Sequence, residues 1–287
     1  KICFVTLGCD KNKVDSETIL GFLYKNNFSF TQIPSEADAI IINTCGFIES
    51  AKKESLDAIF KYAKYHKKLI VVGCLVERYL EELKLELSDV VDLFVPLSNY
   101  KNLRSELLEL FPNEIKCEYN PYYRVFDTPS YSAYLKISEG CNHFCAFCAI
   151  PLIRGRFHSV EKEELLKQAN EIASSGVKEL IIVSQDTSNY GTDLYKDYGI
   201  VSLLKDILNI NKFKYIRLLY LYAHEVNDEL ISLIKENSSV LLPYFDIPLQ
   251  HASNKIIKAM NRRDTKEEAI SLIHKIRKEI PQSIIRT

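Results

Sequence analysis

The feature that most constrains this chain is a repeated alternation of short apolar segments with amphipathic stretches of helical period. Ile2-Cys3-Phe4-Val5 precedes a helix predicted over 14–27, and Ala39–Ile42 precedes one over 49–66. Leu69–Val72 precedes a helix over 76–87, and Val90–Val95 one over 99–110. In the second helix Ile48, Ala51, Leu56, Ile59, Phe60 and Ala63 recur at near-helical spacing. Apolar runs too short for helices, each followed by such a helix, read as strands buried on both faces. Residues 1–111 are therefore predicted to form an open parallel α/β sheet covered by helices.

Residues 112–131 break this pattern. They hold Pro112, Pro121 and Pro129, four Tyr and no helical period, and read as a connecting segment. The alternation resumes in 132–287. Strands are predicted at 133–138, 178–184, 214–220, 242–248 and from about 283. Helices are predicted at 160–175, 200–209, 226–236, 253–260 and 265–279. Such a series of βα units predicts a TIM-like barrel of parallel strands. The last strand meets the chain end, so the barrel is expected to be incomplete and the chain to be part of a longer protein.

Charge narrows the function classes. Lys and Arg total 37 against 38 Asp and Glu. Residues 1–130 carry 16 basic and 19 acidic side chains, and 131–287 carry 21 and 19. Neither half has the basic excess of a phosphate-backbone binder. No apolar run approaches a membrane span, and no basic-then-apolar leader opens the chain. A cytoplasmic setting without membrane attachment is expected, and there the eight Cys are free thiols or metal ligands rather than disulfides.

Three of the eight stand in Ser138-Glu139-Gly140-Cys141-Asn142-His143-Phe144-Cys145-Ala146-Phe147-Cys148, a C-x3-C-x2-C loop after the first strand of the second half. One such loop can wrap three thiolates around one face of a cluster. A four-iron cluster takes four Cys ligands, so three leave one iron open to a small molecule. A zinc site is the alternative, with His143 or His158 as fourth ligand. Cys9, Cys45 and Cys74 each lie just past the C-terminal end of a predicted strand, beside Gly8, Gly46 and Gly73. That edge of an open α/β sheet is where ligands bind. They read either as a second three-thiol site or as three separate buried thiols. Cys3, within a strand, and Cys117, in the connecting segment, are not expected to be ligands.

These residues resemble a family. The C-x3-C-x2-C loop with an aromatic before its last Cys is similar to that of the radical S-adenosylmethionine enzymes. The three-Cys domain before it resembles the methylthiotransferases among them. The segments 6–17 (Thr-Leu-Gly-Cys-Asp-Lys-Asn-Lys-Val-Asp-Ser-Glu) and 43–51 (Asn-Thr-Cys-Gly-Phe-Ile-Glu-Ser-Ala) resemble the RimO branch. So do 133–143, 184–191 (Ser-Gln-Asp-Thr-Ser-Asn-Tyr-Gly) and 243–253. Asp10 stands where that branch typically carries Pro, and the resemblance implies that the end of the barrel and a C-terminal TRAM domain would follow beyond Thr287.

The resemblance implies an incomplete radical-SAM barrel and two 4Fe-4S clusters. One would sit on Cys9, Cys45 and Cys74, the other on Cys141, Cys145 and Cys148. The second would bind S-adenosylmethionine and generate a 5′-deoxyadenosyl radical. That radical would take a hydrogen from the β-carbon of an aspartate in small-subunit ribosomal protein S twelve, where a methylthio group is then added. An electron donor and a sulfur source are implied partners. Gln185 and Gln250, each after a barrel strand, are expected to contact S-adenosylmethionine. Asp186, Asn189 and His251 point to the same mouth, with ordinary loop hydrogen bonding as the alternative. Arg154 and Arg156 read as partners of a cofactor or substrate carboxylate, or as surface salt bridges. His66 and His274 read as solvated, and Tyr220 and Tyr222 as packing. The rival functions are transfer-RNA adenosine methylthiolation of the MiaB type, a two-cluster electron carrier or scaffold, and a zinc-stabilised binding module.

Overall fold

The computed structural model describes residues 1–126 and 130–287 and divides into two units. The first is Lys1–Asp127 together with Leu152–Arg154, and the second is Thr128–Pro151 with Gly155–Thr287.

The first unit is built on β1 (Ile2–Thr6), β2 (Ala39–Thr44), β3 (Lys68–Gly73) and β4 (Leu93–Val95), all parallel and in chain order. Its helices are α1 (Asp10–Lys25), α2 (Glu49–Ala63), α3 (Cys74–Leu87) and α4 (Leu103–Leu108). All six residues of β2 are buried, and their alternation sorts the core into two layers. Ile41 packs with Ile70 and Val72 against Ile19, Phe22 and Leu23 of α1 and Leu103 and Leu107 of α4. Ile40 and Ile42 pack with Leu69 and Val71 against Ile59 of α2 and Leu75 and Leu83 of α3. A sheet covered on both faces has no solvated side, which is why its strands are almost wholly apolar.

Helix α1 starts four residues earlier than its apolar period indicates. Its first turn is polar, yet Lys11, Asn12, Asp15, Ser16 and Glu17 are buried, held by hydrogen bonds rather than by hydrophobic packing. At the other end, Val90 and Val91 both donate to the carbonyl of Leu87 and belong to the turn after α3, so β4 starts only at Leu93.

The expected connecting segment packs on the first unit over 112–126. The side chain of Asn26 accepts from the backbone of Lys116 (2.6 Å) and Cys117 (2.8 Å), Tyr119 sits edge-on to Phe22, and Arg124 pairs with buried Glu17. Residues 127–129 of that segment lie outside the described residues.

In the second unit β5 (Ser132–Lys136), β8 (Glu179–Val183) and β9 (Tyr215–Leu218) form a parallel sheet, and β10 (Tyr244–Asp246) pairs in parallel with β11 (Ile284–Arg286). The two sheets are joined through Ile216, whose N–H and C=O bond to Val240 and Leu242. Two short strands, β6 (Ser138–Glu139) and β7 (His158–Ser159), form an antiparallel ladder that the sequence pattern did not reveal. A short α5 (Ile150–Ile153) has two residues in each unit, and the helices of the second unit are α6 (Lys162–Ser174), α7 (Ile200–Asn209), α8 (Asp228–Glu236), α9 (Asn254–Ala259) and α10 (Lys266–Glu279). One face of the strands, with Ala133, Leu135, Leu180, Ile182, Ile216 and Leu218, is packed against α6, α7 and α8. The alternate positions Lys136 and Arg217 face the other way and pair with Glu139 and Glu179. The side away from the helices is thus mixed, carrying these ion pairs beside Tyr134, Ile181 and Val183. No helix among the described residues is long and apolar enough to cross a membrane.

Candidate cluster sites

In the first unit the ends of three adjacent strands meet at Asn12. Its Nδ2 donates to the carbonyls of Leu7 after β1 (3.1 Å) and Thr44 at the end of β2 (2.8 Å). Its Oδ1 accepts from the thiol of Cys74, which follows β3, at 3.2 Å. Cys45 and Cys74 are buried and Cys9 is exposed. Gly8 has φ +87, and a Cβ there would lie 2.7 Å from Cys45 Cβ and 3.2 Å from its Sγ. Only glycine fits this approach, and it brings the Cys9 turn against Cys45.

The thiols sense one another. Burial pushes Cys45 above its ordinary pKa, and the neighbouring Cys9 adds to the shift. Cys74 is pushed up to about 11, first by burial and further by Asp15 and Cys45, against the pull of Arg154. That arginine is not a surface residue. It is buried, pairs with Asp15 at 2.8 Å, and holds Asn12 Oδ1 at 2.5 Å and Cys74 Sγ at 3.3 Å. Cys3 is a core thiol of the sheet and Cys117 donates to the carbonyl of Lys25.

In the second unit the β6–β7 ladder closes the base of a loop over 140–157 that carries the other three cysteines. Cys141 N donates to the carbonyl of Gly155 at 3.3 Å, and Phe157 N to Asn142 Oδ1 at 3.2 Å. Gly140 has φ +74, and a Cβ there would lie 2.2 Å from the carbonyl oxygen of Arg156. The loop tip is pinned by Ala146 N to the carbonyl of Met260 (3.0 Å) and by Asn261 Nδ2 to that of Phe144 (3.0 Å). Phe144 takes a left-handed φ of 48, and exposed Arg156 lies over its ring at 4.2 Å. Cys141 and Cys145 are buried and Cys148 half-buried. Cys141 is pushed up to about 11, first by burial, with Asp186 and Cys148 adding and a Tyr222 hydrogen bond opposing. Burial and Cys145 raise Cys148.

Around this loop stands a polar group that spacing did not disclose. His143 Nε2 meets Asp186 Oδ2 at 2.7 Å, and its ring stacks on Tyr222 with centroids 3.7 Å apart. Glu225 approaches the same imidazole at 3.9 Å. Burial, then Asp186, pushes Glu225 up to about 7. His224 bonds to Asp264, which also pairs with Arg262, and that guanidinium lies over Tyr222 at 4.7 Å. Tyr222 is thus more than packing, whereas Tyr220 takes a left-handed φ of 60 at the end of β9. His143, Asp186 and Tyr222 each stood in the sequence next to a cysteine or a strand end. Glu225, His224, Asp264 and Arg262 lay in segments without a signal.

Of the two glutamines expected at the cofactor, Gln185 donates to Glu139 at 2.7 Å and keeps its Oε1 buried without a partner. An unpaired buried acceptor is costly unless a ligand supplies the donor. Gln250 is exposed, at φ +70. Asn189 bonds to Thr192, while His251, His66 and His274 are exposed.

The ligand-atom spacing bears on the zinc alternative. A tetrahedral zinc with sulfur at about 2.3 Å draws its ligand atoms to about 4 Å from one another. Among the described residues the trio with ligand atoms that close is His143, Asp186 and Glu225, not either cysteine set. His143 is committed to Asp186, and His158 is exposed with Nδ1 near the carbonyl of Arg156.

Residues 135–287 match the Radical SAM superfamily, and residues 1–96 match the family described as Uncharacterized protein family UPF0004. The match to the Radical SAM superfamily covers more than half of the chain and makes it a radical S-adenosylmethionine protein. Two solved structures share the fold: the cobalamin-dependent S-adenosylmethionine radical enzyme OxsB and the radical S-adenosylmethionine methyltransferase TsrM from Kitasatospora setae. OxsB has a TM-score of 0.66 at 15% identity, over 99% of this chain and 48% of that one. TsrM has 0.65 at 11%, over 97% and 65%. Curated relatives named Ribosomal protein uS12 methylthiotransferase RimO match all of this chain. The one from Clostridioides difficile (strain 630) is 44% identical with 67% of its length covered, and that from Aquifex aeolicus (strain VF5) 48% with 64%. The chain belongs to the RimO family, and it spans about two thirds of the length of these relatives.

Proposed function

We propose that the protein is a radical S-adenosylmethionine methylthiotransferase that modifies an aspartate of ribosomal protein uS12 in the cytoplasm. The observation that supports this reading is the identity of 44% to a RimO protein over the whole chain, together with three thiols just past β1, β2 and β3 and three more in the single loop after β5 and β6. Cys141, Cys145 and Cys148 would hold one 4Fe-4S cluster and Cys9, Cys45 and Cys74 the other. When bound, the clusters and S-adenosylmethionine supply a 5′-deoxyadenosyl radical for the aspartate β-carbon and the sulfur and methyl groups added there.

The chain's own residues bind and orient. Gly140 and the β6–β7 ladder shape the thiol loop. The unpaired Oε1 of Gln185 offers an acceptor to an ammonium such as that of S-adenosylmethionine, and Gln250 is the weaker candidate. The stack of His143 on Tyr222, braced by Asp186 and Arg262, walls the loop with fixed groups. An electron donor and a sulfur source complete the proposal as external partners.

The test is iron and acid-labile sulfide per chain after anaerobic reconstitution, on the parent and on two triple Cys→Ala variants, one per trio. Two clusters predict about eight irons, falling to about four in either variant. S-adenosylmethionine should alter the electron paramagnetic resonance spectrum of the Cys141, Cys145 and Cys148 cluster. Zinc in place of iron, or a spectrum indifferent to S-adenosylmethionine, would sink the reading in favour of a binding module or an electron carrier.

A further inference from the structure

Arg154 is almost fully buried, with 7% of its surface exposed. Its Nη1 pairs with Asp15 at 2.8 Å, while its Nη2 reaches both Asn12 Oδ1 (2.5 Å) and Cys74 Sγ (3.3 Å). Taking a guanidinium and a carboxylate out of water costs several kcal/mol per ion, and their attraction alone barely offsets it. A neutral thiol gives no reason to bury a cation beside it. A sulfur bound to iron does, because it carries negative charge and accepts hydrogen bonds without donating any. Hydrogen bonds to such sulfurs and nearby positive charge favour the reduced, more negative state of a cluster. We propose that Arg154 is a positioning residue for an iron–sulfur cluster on Cys9, Cys45 and Cys74. Its N–H to Cys74 Sγ raises the cluster's reduction potential, and Asp15 limits that rise. The assignment rests on the two-cluster reading above.

A purely structural Arg154–Asp15 tie predicts destabilisation when either partner is lost, with no sign attached to the potential. The electrostatic role predicts opposite signs. The experiment uses the full chain carrying Cys141→Ala, Cys145→Ala and Cys148→Ala, so that one cluster is read alone. It is reconstituted anaerobically and titrated redox-wise by electron paramagnetic resonance. Arg154→Met should shift the reduction equilibrium toward the oxidised state about tenfold, which is about 59 mV downward for one electron. Arg154→Lys should recover part of the shift, and Asp15→Asn should move the potential upward. With iron held at about four per chain, an unchanged potential in Arg154→Met, or shifts of the same sign in Arg154→Met and Asp15→Asn, overturns the assignment. Should Arg154→Met lose its iron, Asp15→Asn decides, and a potential that does not rise overturns it. If the Arg154-containing parent of this series holds no iron, the two-cluster reading itself fails and the assignment with it.

Discussion

The imidazole of His143 and the carboxylate of Asp186 meet at 2.7 Å, joining the thiol loop to the end of β8 across 43 residues of chain. Asp186 is 1% exposed and also receives Ser188 Oγ at 3.2 Å. Removing one partner deprives the other of this bond, which for Asp186 leaves Ser188 on Oδ1 but no imidazole at Oδ2, a cost of about 1–3 kcal/mol. Asp186→Ala and His143→Ala should each destabilise the chain by that amount. A double-mutant cycle by denaturant unfolding should give a coupling of about 1–2 kcal/mol, and additive effects would show that the pair is incidental.

Gly140 and Gly155 share a φ of +74 but not their surroundings. A Cβ at Gly140 would collide with the backbone of Arg156 and Gly155, whereas nothing lies within 4 Å of one at Gly155. Gly155→Ala should cost only the left-handed strain, about 1–2 kcal/mol, and keep its iron. Gly140→Ala should cost about 3 kcal/mol or more and abolish iron binding at Cys141, Cys145 and Cys148. Thermal melts and iron counts on the two variants read the difference.

Glu225 titrates near neutrality because burial, and next Asp186, disfavour its charge, lifting it from 4.5 to about 7. A raised carboxyl favours the folded state while it is protonated. Its contribution is therefore complete below pH 4.5 and is lost as pH rises through about 7. Glu225→Gln removes this dependence. Melting temperatures of parent and variant across that window should diverge, the parent falling relative to the variant as pH rises.

The segment 112–126 should behave as part of the first unit. Its anchor is Asn26 Oδ1, which takes two backbone N–H groups at 2.6 and 2.8 Å. Asn26→Ala strands both donors and should cost about 1–3 kcal/mol. Limited proteolysis should then cut within 112–126 faster than in the parent. Equal cutting rates would mean that the segment is held elsewhere.

The alternation of Ile40, Ile41 and Ile42 already announced a strand buried on both faces, and the period of 49–66 announced the helix over it. These are local signals, set by how a two-residue or 3.6-residue repeat places side chains on faces. Cys9, Cys45 and Cys74 could be placed for the same reason, since each sits within a few residues of a recognisable strand end, whereas Cys141, Cys145 and Cys148 stood out by their C-x3-C-x2-C spacing. The polar start of α1 was not legible, because Asn12, Asp15 and Glu17 are buried by hydrogen bonds that no apolar period records. Nor was the two-residue ladder of β6 and β7, too short to leave a pattern.

By itself, the sequence determined the order of βα units and the placement of Cys9, Cys45 and Cys74 past strand ends and of Cys141, Cys145 and Cys148 in one loop. Tertiary structure alone decided what surrounds those thiols. Arg154 reaches Cys74 across 80 residues and Asn12 across 142, and Glu225 and Arg262 come to the stack of His143 on Tyr222 from separate segments. Hydrophobic faces are written in periodicity, but a charge finds its partner only after packing has removed the water that would otherwise solvate it. The neighbours of a buried ionic site are therefore a property of the folded chain.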